Sequence, residues 1–456
     1  PRVRRIDYEL SGAGESLVNR VLEALHIDEN DNLFEAYETA KADPNRLMMA
    51  RYTPSRYLKG EGGVQRIQIQ NAGLLRSALL KRLESSPKAL YFTLLTLIGS
   101  HEKFLSALEK GFVFESEALS AWVSSESDDL DDVLEEIEKD ELRGLKPASD
   151  FHAEALKADA ESDLNLLSEL LATAEVALEA EDPKFDALVE QLEHIAAEAK
   201  KIDKLMIPEG DRRKVVIFST YTDTVIDIHE KLEALLKSNP KSAIASYVDR
   251  LATPQSGAYK SVHKAGKSGG VDQGGRANII EGFAPKTAGQ VDDAGEPLGK
   301  DLYDILVTTD VLAEGVNLQQ AAQIVNYDLP WNPMKIVQRH GRVDRLFSQH
   351  PEVHLGLFFP ADHLDEMLGL QATLEKKLAR AEAAVGAANV LPNRDNTFEV
   401  VFHDKAKIEE EFEQLLIKGG IGGALSGEEF RRRLFKQLEN FKQQENALRN
   451  LPFGSG

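Results

Sequence analysis

Residues 304–346 read DILVTTDVLAEGVNLQQAAQIVNYDLPWNPMKIVQRHGRVDRL. Two short apolar runs in this stretch, 304–308 and 324–328, each end in polar residues, which is typical of buried strands in a parallel sheet. Hydroxyl, carboxylate, glycine and amide residues follow the first run, and open α/β sheets bind ligands at such strand ends. The stretch therefore predicts an α/β fold with a ligand site at the carboxyl edge of the sheet.

A helix is predicted directly after the second strand. Asn332 suits an N-cap, and Pro333 suits the first helical position. A helix that runs from Pro333 past residue 345 places Gln338, Arg342 and Arg345 on one face. Two arginines on one face beside a strand-end cleft are well placed to grip phosphate.

Three blocks within this stretch carry a specific resemblance: EGVNLQ (314–319), YDLPWNP (327–333) and QRHGRVDR (338–345). In this order and spacing they resemble motifs V and VI of superfamily 2 helicases, closest to the Swi/Snf-type, RapA-like branch. That branch includes phage-defence helicases such as the DISARM-associated one. The resemblance implies an α/β fold: a RecA-like parallel sheet flanked by helices, preceded and followed by largely helical segments.

The resemblance also implies roles for individual residues. Arg342 and Arg345 would be arginine fingers that reach the γ-phosphate of ATP from this side of a cleft. The cleft would be lined by Gly315, Asn317, Gln338 and Asp344, and Asp344 would orient one of the arginines. Residues facing DNA would be Ser219, Thr220, Tyr221, Thr308, Thr309 and Arg339.

Simpler interpretations of the same residues stay open. Carboxylates at 310, 314 and 344 and the basic residues at 335, 339, 342 and 345 also suit a surface ion-pair cluster. Thr222, after the predicted strand at 214–219, suits an N-cap of the next helix.

The other half of an ATP site is missing from this sequence. It contains no GxxxxGK[ST] and no DExx run behind an apolar strand, the elements that hold ATP phosphates and Mg²⁺. Ala265-Gly266-Lys267-Ser268 looks like the end of a P-loop, but Ser261 stands where the first glycine is required. We therefore expect ATP and Mg²⁺ to be held by a first RecA-like lobe, with no metal site here, and this chain alone to be inactive.

The amino-acid composition excludes several classes of protein and of site. The 456 residues include no cysteine, which excludes disulfides and thiolate metal sites and fits a reducing, cytoplasmic location. The sequence contains no run of about 18 apolar residues, so no membrane span is predicted. The Pro1 start and the Phe-Gly-Ser-Gly end suggest a fragment.

The net charge of −22 argues against nucleic-acid binding only at first sight. Residues 111–206 hold 27 acidic and 8 basic residues, so this segment alone carries a net charge of −19. The part that carries the motifs is close to neutral, and local basic clusters would hold DNA.

Four regions are predicted. Residues 1–110 would be a strand and a helical linker from the first lobe, and 111–206 an acidic helical region. Residues 207–362 would be the second RecA-like lobe, and 363–456 a C-terminal helical region. Arg76, Lys81 and Arg82 would line the polar side of a linker helix, as a DNA-backbone contact or a solvated face. The acidic region would be a plain spacer, a regulatory arm, a partner-docking bundle or a DNA mimic.

Two functions follow from these observations. The first is a DNA-dependent Swi/Snf-type ATPase of which this chain is the C-terminal half, with DNA, the first lobe and other defence or transcription proteins as partners. The alternative is a non-enzymatic DNA- or partner-binding scaffold built on the same lobe.

Overall fold

The computed structural model describes residues 2–25, 45–60, 66–114, 145–201, 207–239, 244–248, 251, 273–289, 292, 297–310, 316–330, 333–344 and 348–361. All of them belong to one compact unit. Predictions that lie outside these residues concern the P-loop-like tetrapeptide at 265–268, Gly315, Asn332, Arg345 and the C-terminal region 363–456.

The described helices in chain order are α1 (Gly12–Leu25), α2 (Arg66–Ser85), α3 (Pro87–Glu109), α4 (Ala153–Leu178), α5 (Pro183–Ala199), α6 (Glu209–Arg213), α7 (Thr222–Ser238), α8 (Ala245–Val248), α9 (Gln273–Phe283), α10 (Pro285–Ala288) and α11 (Pro333–His340). The strands are β1 (Arg2–Ile6), β2 (Phe112–Phe114), β3 (Leu145–Pro147), β4 (Val215–Phe218), β5 (Ile305–Thr308), β6 (Gln323–Asn326) and β7 (His354–Phe358).

Five of the strands form one parallel sheet in the order β1-β7-β6-β4-β5. Every residue of β4 is buried, as expected for a central strand of a parallel sheet, and every residue of β5 is buried too although β5 lies at the edge opposite β1. Strand β4 pairs with both β5 and β6, so Phe218 lies beside Thr308 and Asn326. The predicted α/β architecture with a parallel sheet is confirmed.

Strand β1 lies at one edge of this sheet, beside β7. The sequence predicted a strand here but assigned residues 1–110 to a linker from another lobe. The sheet that carries the candidate site thus includes residues from the start of the chain. The predicted boundaries of the four regions stay a prediction.

The helical part packs around its own apolar core. Helices α3 and α4 meet at a cluster that includes Phe104, Phe151 and Leu156, and β2 and β3 form a short antiparallel pair beside it. Two helices begin with a side-chain cap ahead of proline. The Ser86 side chain caps α3 ahead of Pro87, and the Asp182 carboxylate accepts hydrogen bonds from two main-chain N–H groups of α5.

Three expectations about local structure were wrong. Arg76, Lys81 and Arg82 are 1–2% exposed, so they are neither a solvated face nor an open DNA-binding surface. Helix α11 ends at His340, so Arg342 lies in the following turn and not on the helix. Helix α7 begins at Thr222, and its N-cap is Tyr221, which makes no side-chain cap.

No helix among the described residues is long and apolar enough to cross a bilayer.

Candidate functional site

The candidate site lies at the carboxyl edge of the sheet, where β4, β5 and β6 end side by side. The loops that leave these strands contain residues 219–221, 309–310 and 327–330. Helix α11 starts three residues after the last of these loops. The parallel topology therefore brings together segments that are about 100 residues apart in sequence.

Arg339 joins two of these strand ends. Its Nε and Nη2 donate to the two carboxylate oxygens of Asp310, at 2.6 and 2.9 Å, and its Nη1 donates to the amide oxygen of Asn326 at 2.8 Å. The residue is 1% exposed, and its guanidinium lies 5.2 Å from the ring centre of Phe218. The Asp310–Arg339 ion pair suggested by the simpler interpretation is present, but it is buried on the arginine side. The predicted contact of Arg339 with DNA stays a prediction, and little guanidinium surface is available for it.

Asp328, which lies two residues after the end of β6, also joins several segments through hydrogen bonds. Its Oδ1 accepts from the main-chain N–H of Thr220 at 2.8 Å and from the Thr220 hydroxyl at 2.7 Å. Its Oδ2 accepts from the hydroxyls of Ser219 and Ser85. Burial by itself would raise the pKa of Asp328, but the Arg339 and Lys184 cations and the two serine hydroxyls outweigh it and hold the pKa below its usual value.

The polar residues predicted to face DNA are therefore mostly turned inward. Ser219 and Thr308 are fully buried, and Tyr221 and Thr309 are 4% and 6% exposed. The Thr308 hydroxyl donates to the Thr309 carbonyl at 3.0 Å. Thr220 is the half-buried member of the set.

Asn317 makes a local turn at the cleft. Its side-chain oxygen accepts from the Gln319 N–H at 3.1 Å, and its carbonyl accepts from the Thr287 hydroxyl at 3.1 Å. The side chain is half-buried. This Asx-type turn fixes the loop after residue 315.

The main chain of Arg342 forms hydrogen bonds, whereas its guanidinium forms none with the described residues. Its N–H donates to the Arg339 carbonyl at 3.1 Å, and its carbonyl accepts from the Leu318 N–H at 2.9 Å. The second bond ties the QRHGRVDR block to the EGVNLQ block. Among the described residues, no polar group pairs with the half-buried Arg342 side chain.

The other two predicted cleft residues take separate positions. Gln338 is exposed on α11, and no hydrogen bond between described residues joins it to Arg342. The Asp344 carboxylate lies 3.4 Å from His340 Nε2 and does not pair with Arg342. Burial lowers the pKa of His340, and Asp344 partly opposes that shift. The predicted role of Asp344 in orienting an arginine stays a prediction, because Arg345 lies outside the described residues.

Sequence reasoning missed the roles of Asp328 and Ser85. Asp328 stands inside the YDLPWNP block, and a carboxylate directly after an apolar strand is the signal that could have singled it out. Ser85 was visible only as part of a helix break, and its partner is 243 residues away. Among the described residues, no group of three or more His, Asp or Glu side chains is placed to hold a metal ion.

Comparison with known proteins gives a consistent result. Residues 197–346 match the family described as "Helicase conserved C-terminal domain". The "Uncharacterized ATP-dependent helicase YqhH" of Bacillus subtilis (strain 168) is 35% identical over 111 residues, 23% of this chain and 19% of that protein. The "ATP-dependent DNA helicase MPH1" of Debaryomyces hansenii is 27% identical over 177 residues, 36% of this chain and 15% of that protein.

A solved structure is also similar. It is the "Crystal structure of the C-terminal part of Fun30 ATPase domain", at 14% identity and a TM-score of 0.34, with 84% of this chain and 97% of that chain covered. The chain spans about a fifth or less of the length of the two curated relatives named above. The match of residues 197–346 to a helicase C-terminal domain supports the predicted helicase C-terminal lobe at that level.

Proposed function

We propose that this chain is the C-terminal half of a Swi/Snf-type superfamily 2 ATPase that moves on DNA, and that Arg342 and Arg345 are its arginine fingers. ATP and Mg²⁺ would be held mainly by a first RecA-like lobe, and Gly315, Asn317, Gln338 and Asp344 would line this side of the cleft. Closure of the two lobes on ATP would shift one against the other along DNA. Membership of the RapA-like branch, and with it a role in phage defence, is proposed on the three sequence blocks.

The observation that carries the proposal is the state of Arg342. Its main chain is fixed from both sides, to α11 and to the loop at Leu318, while its half-buried guanidinium has no partner among the described residues. Arg339, by contrast, is paired with Asp310. A guanidinium that has no partner among the described residues, on a main chain that is held in place, fits a ligand that brings its own negative charge, such as a triphosphate.

DNA would be contacted by the loop at 219–221 as a whole. The Ser219 and Thr220 hydroxyls and the Thr220 N–H already donate hydrogen bonds to the Asp328 carboxylate, so these groups shape the loop. Thr220 has the exposed surface to meet DNA directly. Thr308, Thr309 and Arg339 would act behind this loop, by relaying changes between the ATP side and the DNA side.

The test is ATP hydrolysis with and without duplex DNA by the full-length protein that includes the first lobe. Arg342→Ala should lower the rate at saturating ATP by about 10³-fold or more, because an arginine finger contributes on the order of 10³–10⁵. Arg342→Lys should rescue little, since an ammonium cannot form the planar two-point contact. Arg4→Ala is the matched control: Arg4 is an exposed arginine on β1 and has no polar partner among the described residues.

Retention of activity in Arg342→Ala would contradict the proposal. If the protein also assembled normally on DNA or on a partner, the scaffold alternative would replace it.

A further inference from the structure

The last turn of α2 is joined to the candidate site by buried polar contacts. Lys81 Nζ donates to the Leu329 carbonyl, just after Asp328. Arg82 Nη1 donates to Asp223 Oδ2 at 3.2 Å on α7, and its guanidinium lies 4.3 Å from the ring centre of Tyr221. These contacts run from a helix outside the sheet to both loops that border the candidate DNA site.

A chain of hydroxyl groups completes this junction. Ser85 Oγ lies 2.7 Å from Asp328 Oδ2 and 2.7 Å from Thr224 Oγ1, and Thr224 Oγ1 lies 2.8 Å from Ser86 Oγ. All three hydroxyl residues are 0–2% exposed.

The direction of these hydrogen bonds follows from the chemistry of the groups. An ionised Asp328 can only accept, so Ser85 must donate its single proton to it. Thr224 must then donate to Ser85, and Ser86 to Thr224. Ser86 keeps its second function, because its oxygen still accepts from the Ala89 N–H at the start of α3. Each hydroxyl polarises the next toward the carboxylate.

We propose that Ser85 is a positioning residue of the DNA-facing loop and acts on it through Asp328. This inference rests on the proposed function and deepens it. The hydroxyl chain fixes one oxygen of Asp328, and the other oxygen fixes the Thr220 N–H and hydroxyl. The junction of α2 with α3 thereby sets the shape of the loop at 219–221 and braces that loop.

Helix α5 supports the same turn from the other side. Lys184 Nζ donates to the carbonyls of Glu84 and Ser85, the last two residues of α2, and lies 4.6 Å from the ring centre of Tyr327. A cation that binds the last carbonyls of a helix stabilises that end. The position of Ser85 is therefore defined by α5 as well as by α7.

The first measurement needs no ATP. Amide hydrogen exchange at residues 219–221 is followed by mass spectrometry in the full-length protein and in Ser85→Ala. Loss of the Ser85 donor leaves the Ser219 hydroxyl as the remaining donor to Asp328 Oδ2 among the described residues. The carboxylate is then held less firmly, so the Thr220 amide should exchange faster, on the order of tenfold, since hydrogen bonds to charged groups are among the stronger ones. Ser85→Thr retains a hydroxyl and should restore slow exchange.

Ser86→Ala is the matched control. It removes a hydroxyl one residue away, at the same helix junction, and costs α3 its N-cap, but it leaves the Ser85–Asp328 bond intact. Exchange at 219–221 should stay within about twofold of wild type in this variant, because Asp328 keeps every donor. Equal effects of the two alanine variants would overturn the proposal, and so would unchanged exchange in Ser85→Ala.

The second measurement is the dependence of ATP hydrolysis on duplex DNA concentration. Ser85→Ala should raise the DNA concentration for half-maximal stimulation by on the order of tenfold, while hydrolysis without DNA stays unchanged. A merely structural defect would lower both rates together and would count against the proposal. If wild type hydrolyses no ATP, the proposed function fails, and the exchange experiment still decides on the role of Ser85.

Discussion

Replacing Arg339 with alanine distinguishes a structural arginine from one that contacts DNA. The side chain makes three hydrogen bonds, two to Asp310 and one to Asn326, and it is 1% exposed. Alanine would leave a carboxylate and an amide oxygen without their donor at the ends of β5 and β6. The Asp310 side chain is 33% exposed, so water can replace part of what its carboxylate loses.

The size of the effect follows from these contacts. Breaking a buried ion pair by removing one partner costs about 3–5 kcal/mol, and the exposure of Asp310 points to the lower end of that range. The lost bond to Asn326 adds about 1 kcal/mol. We expect the free energy of unfolding to fall by about 4 kcal/mol, which is a fall in melting temperature on the order of 10 °C for a domain of this size.

Urea denaturation followed by circular dichroism measures this change, with Arg4→Ala as the exposed-arginine control. Asp310→Ala and the double variant complete a cycle whose coupling energy should be about 2 kcal/mol or more. The reasoning is refuted if Arg339→Ala unfolds within about 0.5 kcal/mol of wild type while its affinity for DNA falls. That result would make Arg339 a DNA contact.

Two further variants test the helical part. Lys184→Met should lower the free energy of unfolding by about 2 kcal/mol, because two buried helix-end carbonyls lose a charged donor; Lys201→Met, at an exposed lysine, should change it by less than about 0.5 kcal/mol in the same urea titration. Burial raises the pKa of Asp163 to about 7, so the folded protein holds this proton more tightly than the unfolded chain. Stability should therefore fall between about pH 4 and 7, by at most ~1.4 kcal/mol per pH unit, and Asp163→Asn should remove that dependence. Parallel pH profiles of wild type and Asp163→Asn would contradict the assignment.

Much of the fold could be predicted because its signals are local. Strands β4, β5 and β7 are apolar runs with clear ends, and the helix starts at Ser86 and Asp182 follow from capping residues ahead of proline. Leu192, Ile195 and Ala199 stand at helical spacing on α5 and are buried, as is Phe283 on α9. Each of these predictions uses only the spacing and chemistry of neighbouring residues.

The contacts at the site could not be predicted in the same way. Lys81 and Arg82 look like surface residues of an amphipathic helix, and the sequence does not reveal the partners 248 and 141 residues away that help to make their burial favourable. The same holds for β1, whose sequence predicts a strand but not its neighbour. The end of α11 is different, because Gly341 is a residue that disfavours helix and stands directly after its last residue. This glycine is a local signal, and it argues against one continuous arginine face on α11.

The pairing of β1 with β7 has a consequence for how the protein is made. Arg2 is synthesised long before its partner in the sheet, His354. Helices such as α3 and α4 close through contacts of short sequence separation, whereas β1 must wait for nearly all of the described residues to be synthesised. Until then, Ile6 and the hydrogen-bonding groups of β1 lack their native neighbours, and the sheet lacks both β7 and β1. The edge strand is thus the final piece of the lobe to be added, and a nascent chain stalled before residue 354 would carry an open place for a foreign strand beside β6.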